Sequence, residues 1–137
     1  MIAFFQINYV AVFVAGLIYY GLGALWYGKA LFGDAWIKAS GMTSMASPNM
    51  SMTGSMIWLL ISSLLTSLGI AYVIKISGKI GIANGIEKAI VIALLFGATI
   101  QLPIWVIMGK GTLYLIDFGY LATGLIIMGA IIGAWQK

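Results

Sequence analysis

The side chains in this sequence that could contact a ligand are mostly uncharged. Two amides, Asn8 and Gln101, and one carboxylate, Asp117, fall within or beside long apolar stretches. Four aromatic residues complete the set of candidate ligand contacts: Trp26, Tyr27, Phe32 and Trp36. Amide, indole and phenol groups offer hydrogen bonds beside a broad apolar surface, which suits an apolar or amphipathic ligand. The hypothesis is an aromatic pocket with Asp117 and Lys110 as its charged groups.

Covalent and metal chemistry lack the residues they need. The sequence has no His and no Cys, so it cannot build a disulfide, a zinc site, a haem ligand or an imidazole base. The acidic residues Asp34, Glu87 and Asp117 are expected at interfaces on two different sides of a membrane. We therefore predict no catalytic residues, no metal site and no cofactor, and we expect that the protein is not an enzyme.

A Met-rich stretch leaves one alternative to the prediction that the protein has no metal site. Met42-x-x-Met45, Met50-x-Met52 and Met56 resemble the thioether spacing that holds Cu(I). Methionine is also a flexible apolar residue that many loops tolerate, and this ordinary role is the preferred interpretation.

The elements that must position these residues are membrane helices. Hydrophobic residues make up 63% of the 137 residues and charged residues 7%, whereas a soluble domain has about 25% charged residues. An apolar stretch of about 20 residues is long enough to cross the hydrocarbon core. We predict an all-α membrane protein in which a single domain, 1–137, forms a compact bundle of four transmembrane helices. The spans are expected at about 5–27, 55–74, 89–108 and 116–136.

The connection between the first two spans begins with an amphipathic segment at about 29–38. Asp34 and Lys38 would form a pair four residues apart, away from an apolar face of the same helix. The apolar face consists of Leu31, Phe32, Ala35 and Trp36. This pattern predicts a short helix lying in the membrane interface.

Polar groups near the middle of the spans must find partners, because hydrocarbon offers none. Gln101 lies near Pro103, which cannot donate a hydrogen bond to the carbonyl of Thr99. The second span has four hydroxyls near its middle: Ser62, Ser63, Thr66 and Ser67. The preferred interpretation is that Gln101 bonds one of these hydroxyls between helices. The alternative is a polar constriction or ligand contact on a solute path.

Small residues predict that the helices approach closely. Gly129-x-x-x-Gly133 in the fourth span is assigned to helix packing, and the same pair would suit a homodimer through that span. Asn8 shares a face of the first span with Ala11 and Ala15, and this face is expected to line the bundle interior.

Most of the aromatic residues fall at one end of the bundle when the spans are threaded alternately through the membrane. This end carries the first and third connections, and four of the five Trp residues lie there. The default interpretation is an interfacial belt, with Asp117 capping the positive end of the fourth helix. The sharper hypothesis is the aromatic pocket, roofed by the interfacial helix.

Basic residues give the expected orientation and partners. Lys75, Lys79, Lys88 and Lys137 fall on the side of the termini and three other Lys on the opposite side, which predicts cytoplasmic termini. The near balance leaves insertion in both orientations open. The net charge of +4 is attributed to loops against anionic lipid headgroups, so membrane lipids are the expected partners and nucleic acid is not.

Motifs spread along the chain also occur together in a known family. They are Asn8, Gly23-Ala24-Leu25-Trp26-Tyr27, Phe32-Gly33-x-Ala35-Trp36, Asp117-x-Gly119-Tyr120 and Met128-Gly129-Ala130-x-x-Gly133-Ala134-Trp135. Over nearly the whole chain they resemble the domain of unknown function 1761 family. The resemblance implies a small four-span protein of a bacterial inner membrane and no particular activity. Many relatives have a Pro where this sequence has Lys29-Ala30, so the start of the interfacial helix is expected to differ.

Two classes of function are compatible with these features. The first choice is an accessory or scaffold membrane subunit that packs against itself or a larger membrane complex and holds a lipid or apolar ligand. The alternative is a small-solute or ion channel or exporter that works as an oligomer. Proton-coupled export needs a carboxylate within the membrane, and Asp117 is expected at the edge of its span.

Overall fold

Long apolar runs form helices here because only internal backbone hydrogen bonds can satisfy N–H and C=O groups in hydrocarbon. The computed structural model describes residues 4, 6–44 and 49–136, and none of these residues is in a strand. Within these residues lie five helices: α1 (Tyr9–Trp26), α2 (Gly33–Ser40), α3 (Met52–Ile76), α4 (Ile82–Val106) and α5 (Gly111–Trp135). All except α2 are long and apolar enough to cross a membrane. The predicted all-α fold, four spans with a short helix between the first two, is confirmed.

The helices continue past the charged residues at which the apolar stretches stop. The third span begins at Ile82 rather than at residue 89, and it includes Glu87 and Lys88, whose side chains pair at 2.8 Å. The fourth begins at Gly111 rather than at residue 116, so Asp117 lies inside α5 and not at its edge. A helix continues until its ends reach water, and charged side chains within the first turns can extend toward the interface.

The remaining boundaries differ less from the prediction. α1 begins at Tyr9, and Phe5, at the predicted start of the first span, lies outside the described residues. The second span is longer than 55–74 at both ends, and the third and fourth end at Val106 and Trp135.

α5 is the central helix of the bundle. It contacts α1, α2, α3 and both halves of α4. Its side chains Met128 and Ile132 are completely buried, as are Ala11 and Ala15 of α1 and Ile74 of α3. The predicted interior face of α1 therefore packs into the core.

Glycine residues bring α4 and α5 into backbone contact. A Cβ atom on Gly85 would overlap the carbonyl oxygen of Gly129, and one on Gly133 would lie 2.5 Å from the carbonyl oxygen of Gly81. The Gly81 amide donates to the Gly133 carbonyl at 3.0 Å. The Gly129 and Gly133 face is thus covered within the chain, so a homodimer through this pair would need a surface that α4 already occupies.

α4 contains one turn of π-helix, Ala93–Gly97. Gly97 lies against Leu121 of α5, where an added Cβ would be 2.5 Å from Leu121 Cδ2. The following segment, Ala98–Val106, has no buried residue. Beyond the π-turn, α4 therefore packs mainly on α5 and presents its other sides outward.

α2 packs on the backbone at the end of α1. A Cβ on Gly33 would lie 2.6 Å from the Tyr27 carbonyl oxygen, so only glycine fits this contact. The predicted apolar face is divided: Trp36 is half-buried against the bundle, whereas the other three members, Leu31, Phe32 and Ala35, are exposed. No ion pair forms between the described side chains of Asp34 and Lys38. These residues instead lie in the first and last turns of α2, where their charges interact favourably with the helix dipole.

Candidate functional site

Asp117 joins three elements at the aromatic end. Its Oδ1 atom accepts a hydrogen bond from the Tyr27 hydroxyl and another from Trp36 Nε1, both at 2.9 Å. Asp117 lies six residues after Gly111, about 9 Å along the helix, and it makes no cap. The alternative that Asp117 caps the fourth helix is therefore wrong. The carboxylate holds α2 and the end of α1 against α5.

Burial and the nearby charge of Asp117 keep the Tyr27 hydroxyl protonated. Tyr27 follows the last residue of α1, and burial raises the pKa of its hydroxyl above the ordinary value, with a further increase from the charge of Asp117. The hydroxyl therefore keeps its proton and remains a donor. Lys110 Nζ donates to the Ser40 carbonyl, which places a cation at the negative end of α2.

Trp26 and Phe32 form the adjoining layer. Trp26 Nε1 donates to the Ile116 carbonyl at 3.1 Å, and its ring lies 4.9 Å from the ring of Phe32. The Phe32 amide donates to the Trp26 carbonyl at 3.0 Å, so the chain reverses tightly before α2. Gly119 leaves room for the indole, since an added Cβ would lie 3.1 Å from Trp26 Cζ2.

Three tyrosines continue the aromatic cluster toward the middle of the bundle. The rings of Tyr19 and Tyr120 stack with centroids 4.7 Å apart, and Tyr27 meets Tyr120 edge-on at 5.2 Å. The Tyr120 hydroxyl donates to the Tyr19 carbonyl at 3.1 Å. Gly124 of α5 permits this stack, because a Cβ there would overlap the Tyr19 ring.

A cleft of about 330 Å³ opens beside these rings, between α1 and α3. We call it the tyrosine cleft, and its lining is Tyr19, Tyr20, Gly23, Ala24, Tyr27, Met52, Ser55, Met56, Leu59, Ser62, Ser63 and Tyr120. Tyr19 and Ser63 are 8% and 3% exposed and form the floor, whereas Met56 and Leu59 are 50% and 61% exposed and form the mouth. The volume lies in the usual range for ligand pockets, and no lining residue is charged.

Only one of the residues predicted to contact a ligand lines the tyrosine cleft. Tyr27 lines the tyrosine cleft, while Trp26, Phe32, Trp36 and Asp117 form the hydrogen-bonded layer beside it and do not line it. Sequence reasoning missed the lining residues Tyr20, Met52, Met56, Ser55 and Ser62 as ligand contacts. A signal was available in α1, where Tyr20, Ala24 and Tyr27 recur at the spacing of one helix face.

Asn8 lies at the opposite end of the bundle. Its Oδ1 accepts from the Ala11 amide at 3.2 Å and caps α1, while its Nδ2 donates to the Trp135 carbonyl at 2.9 Å. These contacts join the start of α1 to the end of α5. Asn8 is thus far from the tyrosine cleft and has a structural role in helix capping.

Gln101 is also separate from the cleft. Its Oε1 atom is buried and has no hydrogen-bond partner among the described residues, so the predicted pairing with a hydroxyl of the second span is not formed. Ser67 makes the bond between helices instead, donating to the Val12 carbonyl of α1 at 2.7 Å. Thr66 and Thr99 donate to carbonyls of their own helices.

Comparison with known proteins identifies the family. The family described as protein of unknown function, DUF1761, matches residues 10–133, which is nearly the whole chain. The chain belongs to this family. The DUF1761 resemblance that the sequence motifs indicate is therefore confirmed. No curated protein and no solved structure matches this DUF1761 chain.

Two methionines of the copper hypothesis lie together in the structure of this DUF1761 chain. Met52 and Met56 line the tyrosine cleft, and Met45 lies outside the described residues. No group of three or more metal-binding Asp, Glu, His or Cys side chains occurs in the described part of the chain. The cleft gives Met52 and Met56 an apolar packing surface, in keeping with the ordinary role of methionine.

Proposed function

We propose that this DUF1761 protein is an accessory subunit of the bacterial inner membrane that binds an amphipathic, lipid-like molecule in the tyrosine cleft. The observation that carries the proposal is the lining itself, which combines four tyrosines and three serines with two methionines and a leucine. A molecule with an apolar chain and a small polar head fits such a surface.

The exposure pattern favours entry from the bilayer. The mouth residues Met52, Met56 and Leu59 are all exposed and apolar, so they would face lipid when α3 spans the membrane. Tyr19 and Ser63 lie at the buried floor. An amphipathic molecule could thus move sideways into the cleft without crossing a charged barrier.

The position of the cleft also fits the expected orientation. With both termini in the cytoplasm, the end that carries α2 and the tyrosine cleft would lie in the outer leaflet, on the side away from the cytoplasm. Assembly with a larger complex or a second copy would use faces other than Gly129 and Gly133, which pack on Gly85. A channel or exporter has less support, since Asn8 bonds the end of α5 at one end of the bundle and neither Asn8 nor Gln101 lines the tyrosine cleft.

Native mass spectrometry after gentle extraction from membranes tests the proposal. The unmodified protein should retain a lipid-sized adduct, and Ser62→Trp should lose it because the indole fills the cleft. Thr53→Trp introduces the same side chain in place of another small hydroxyl residue of α3, one that is exposed and does not line the cleft, and should keep the adduct. Absence of any adduct from the unmodified protein, or equal adducts in both variants, would contradict the proposal.

A further inference from the structure

The unpaired hydroxyls of the tyrosine cleft specify what kind of head group it holds. We infer that the head is an uncharged hydrogen-bond acceptor, a carbonyl of the type found in quinones and acyl esters. This inference rests on the proposed function and names the ligand class of the same site.

The serines of α3 differ in how they use their hydroxyls. A Ser or Thr in a membrane helix commonly donates to a carbonyl one turn earlier. Ser63 does this with Leu60 at 2.8 Å, and Thr66 does it with Ser62 at 2.8 Å. Within the described part of the chain, the hydroxyls of Ser55 and Ser62 donate no hydrogen bond, although both line the cleft.

A third unused donor faces the serines across the cleft. Tyr20 of α1 lines the cleft, and its hydroxyl also has no hydrogen-bond partner among the described residues. By contrast, Tyr27 donates to Asp117 and Tyr120 donates to the Tyr19 carbonyl. Because hydrocarbon offers no acceptor, donors left over in such a site favour a ligand that brings one.

Charge excludes the other classes of head group. No Lys lines the cleft, so a carboxylate or phosphate head would be buried without a counter-ion, which is costly. The nearest acid, Asp117, does not line the cleft and already accepts two hydrogen bonds through Oδ1. Tyr19 and Tyr120 stack on each other, so they do not form an open aromatic cage for a quaternary ammonium.

The experiment compares probes that share a ten-carbon chain and differ in the head. Decylubiquinone carries neutral carbonyls, decanoate a carboxylate and decyltrimethylammonium a cation, and didecanoylglycerol supplies ester carbonyls as the lipid source of the same chemistry. Displacement of a bound fluorescent lipid from the purified protein gives each affinity. One of the two carbonyl probes should bind at least about tenfold more tightly than either charged probe, and the stronger one identifies the source.

Variants connect that preference to the unused donors. Ser62→Ala and Tyr20→Phe should each weaken the carbonyl probe about fivefold, as expected for one hydrogen bond, and leave the charged probes unchanged. Ser67→Ala is the matched control, since Ser67 bonds the Val12 carbonyl and does not line the cleft.

The outcomes separate the two proposals. Tighter binding of the ammonium or carboxylate probe at the cleft, or carbonyl binding unaffected by Ser62→Ala and Tyr20→Phe, would overturn the head-group inference and leave the lipid-binding proposal standing. If no probe displaces the fluorescent lipid, or if Ser62→Trp, which fills the cleft, leaves displacement unchanged, the proposed function itself fails.

Discussion

Replacing Asp117 with Leu removes the acceptor that Tyr27 and Trp36 share, and it should release α2 from the bundle. Each polar group left without a partner costs about 1–3 kcal/mol. Both donors are half-buried and lie near the end of a span, where water can partly replace the lost acceptor, so the lower limit applies to each. The free energy of opening α2 should therefore fall by about 2 kcal/mol.

Hydrogen exchange in nanodiscs measures this change directly. A decrease of about 2 kcal/mol corresponds to amide exchange in Gly33–Ser40 that is about 30-fold faster, since 1.4 kcal/mol is about tenfold. Trp36→Phe removes one donor and keeps the ring, so it should accelerate exchange about fivefold. This milder variant tests the same bond if Asp117→Leu lowers the yield of folded protein.

The matched control is Glu87→Gln at the opposite end of the bundle. Glu87 pairs with Lys88, and its side chain is 64% exposed, so its loss should not alter exchange in α2. If Asp117→Leu changed the exchange of α2 by less than about threefold, or if Glu87→Gln changed it equally, the assignment of Asp117 as the anchor of α2 would be refuted.

Two further predictions concern helix packing. Gly85→Ala should lower the melting temperature in detergent strongly because its Cβ would overlap the Gly129 carbonyl, whereas Gly69→Ala, with no atom within 4 Å of the added carbon, should leave it unchanged or raise it. An equal effect of the two substitutions would contradict the backbone contact. Ser67→Ala should reduce the free energy of unfolding by about 0.6 kcal/mol through loss of one bond between helices, as measured by steric trapping. A loss above about 2 kcal/mol would show that the hydroxyl does more than bond one carbonyl.

The fold was largely predictable because the bilayer fixes it. Apolar length gives the number of spans, and the amphipathic segment before residue 40 gives the short helix between the first two. The ends of α4 and α5 were less predictable, because a charge such as that of Asp117 can lie inside a helix when nearby donors satisfy it. Such donors come from distant parts of the sequence and cannot be read from the span itself.

The candidate site was predictable in location and not in composition. The aromatic asymmetry indicated the end of the bundle at which the tyrosine cleft lies, but the pocket was assigned to Trp26 and Trp36. An indole N–H needs an acceptor, and these two find Ile116 and Asp117 of α5, which draws both rings against the central helix. The cleft beside them is therefore lined by Tyr20 and its neighbours. These hydrogen bonds join residues that are 81 and 90 positions apart in the sequence. They depend on the three-dimensional packing, so the local spacing of residues does not reveal them.

Because α5 is the central helix, the bundle can close only after α5 has been synthesised. A chain emerges from the ribosome with its earlier helices first, so α1, α2 and α3 must wait in the membrane or translocation channel before α5 arrives. During that interval Trp26, Trp36 and Asn8 lack the acceptors that Ile116, Asp117 and Trp135 later supply. The final arrangement therefore forms only after translation of residue 135, as a post-insertion closure around the last described helix.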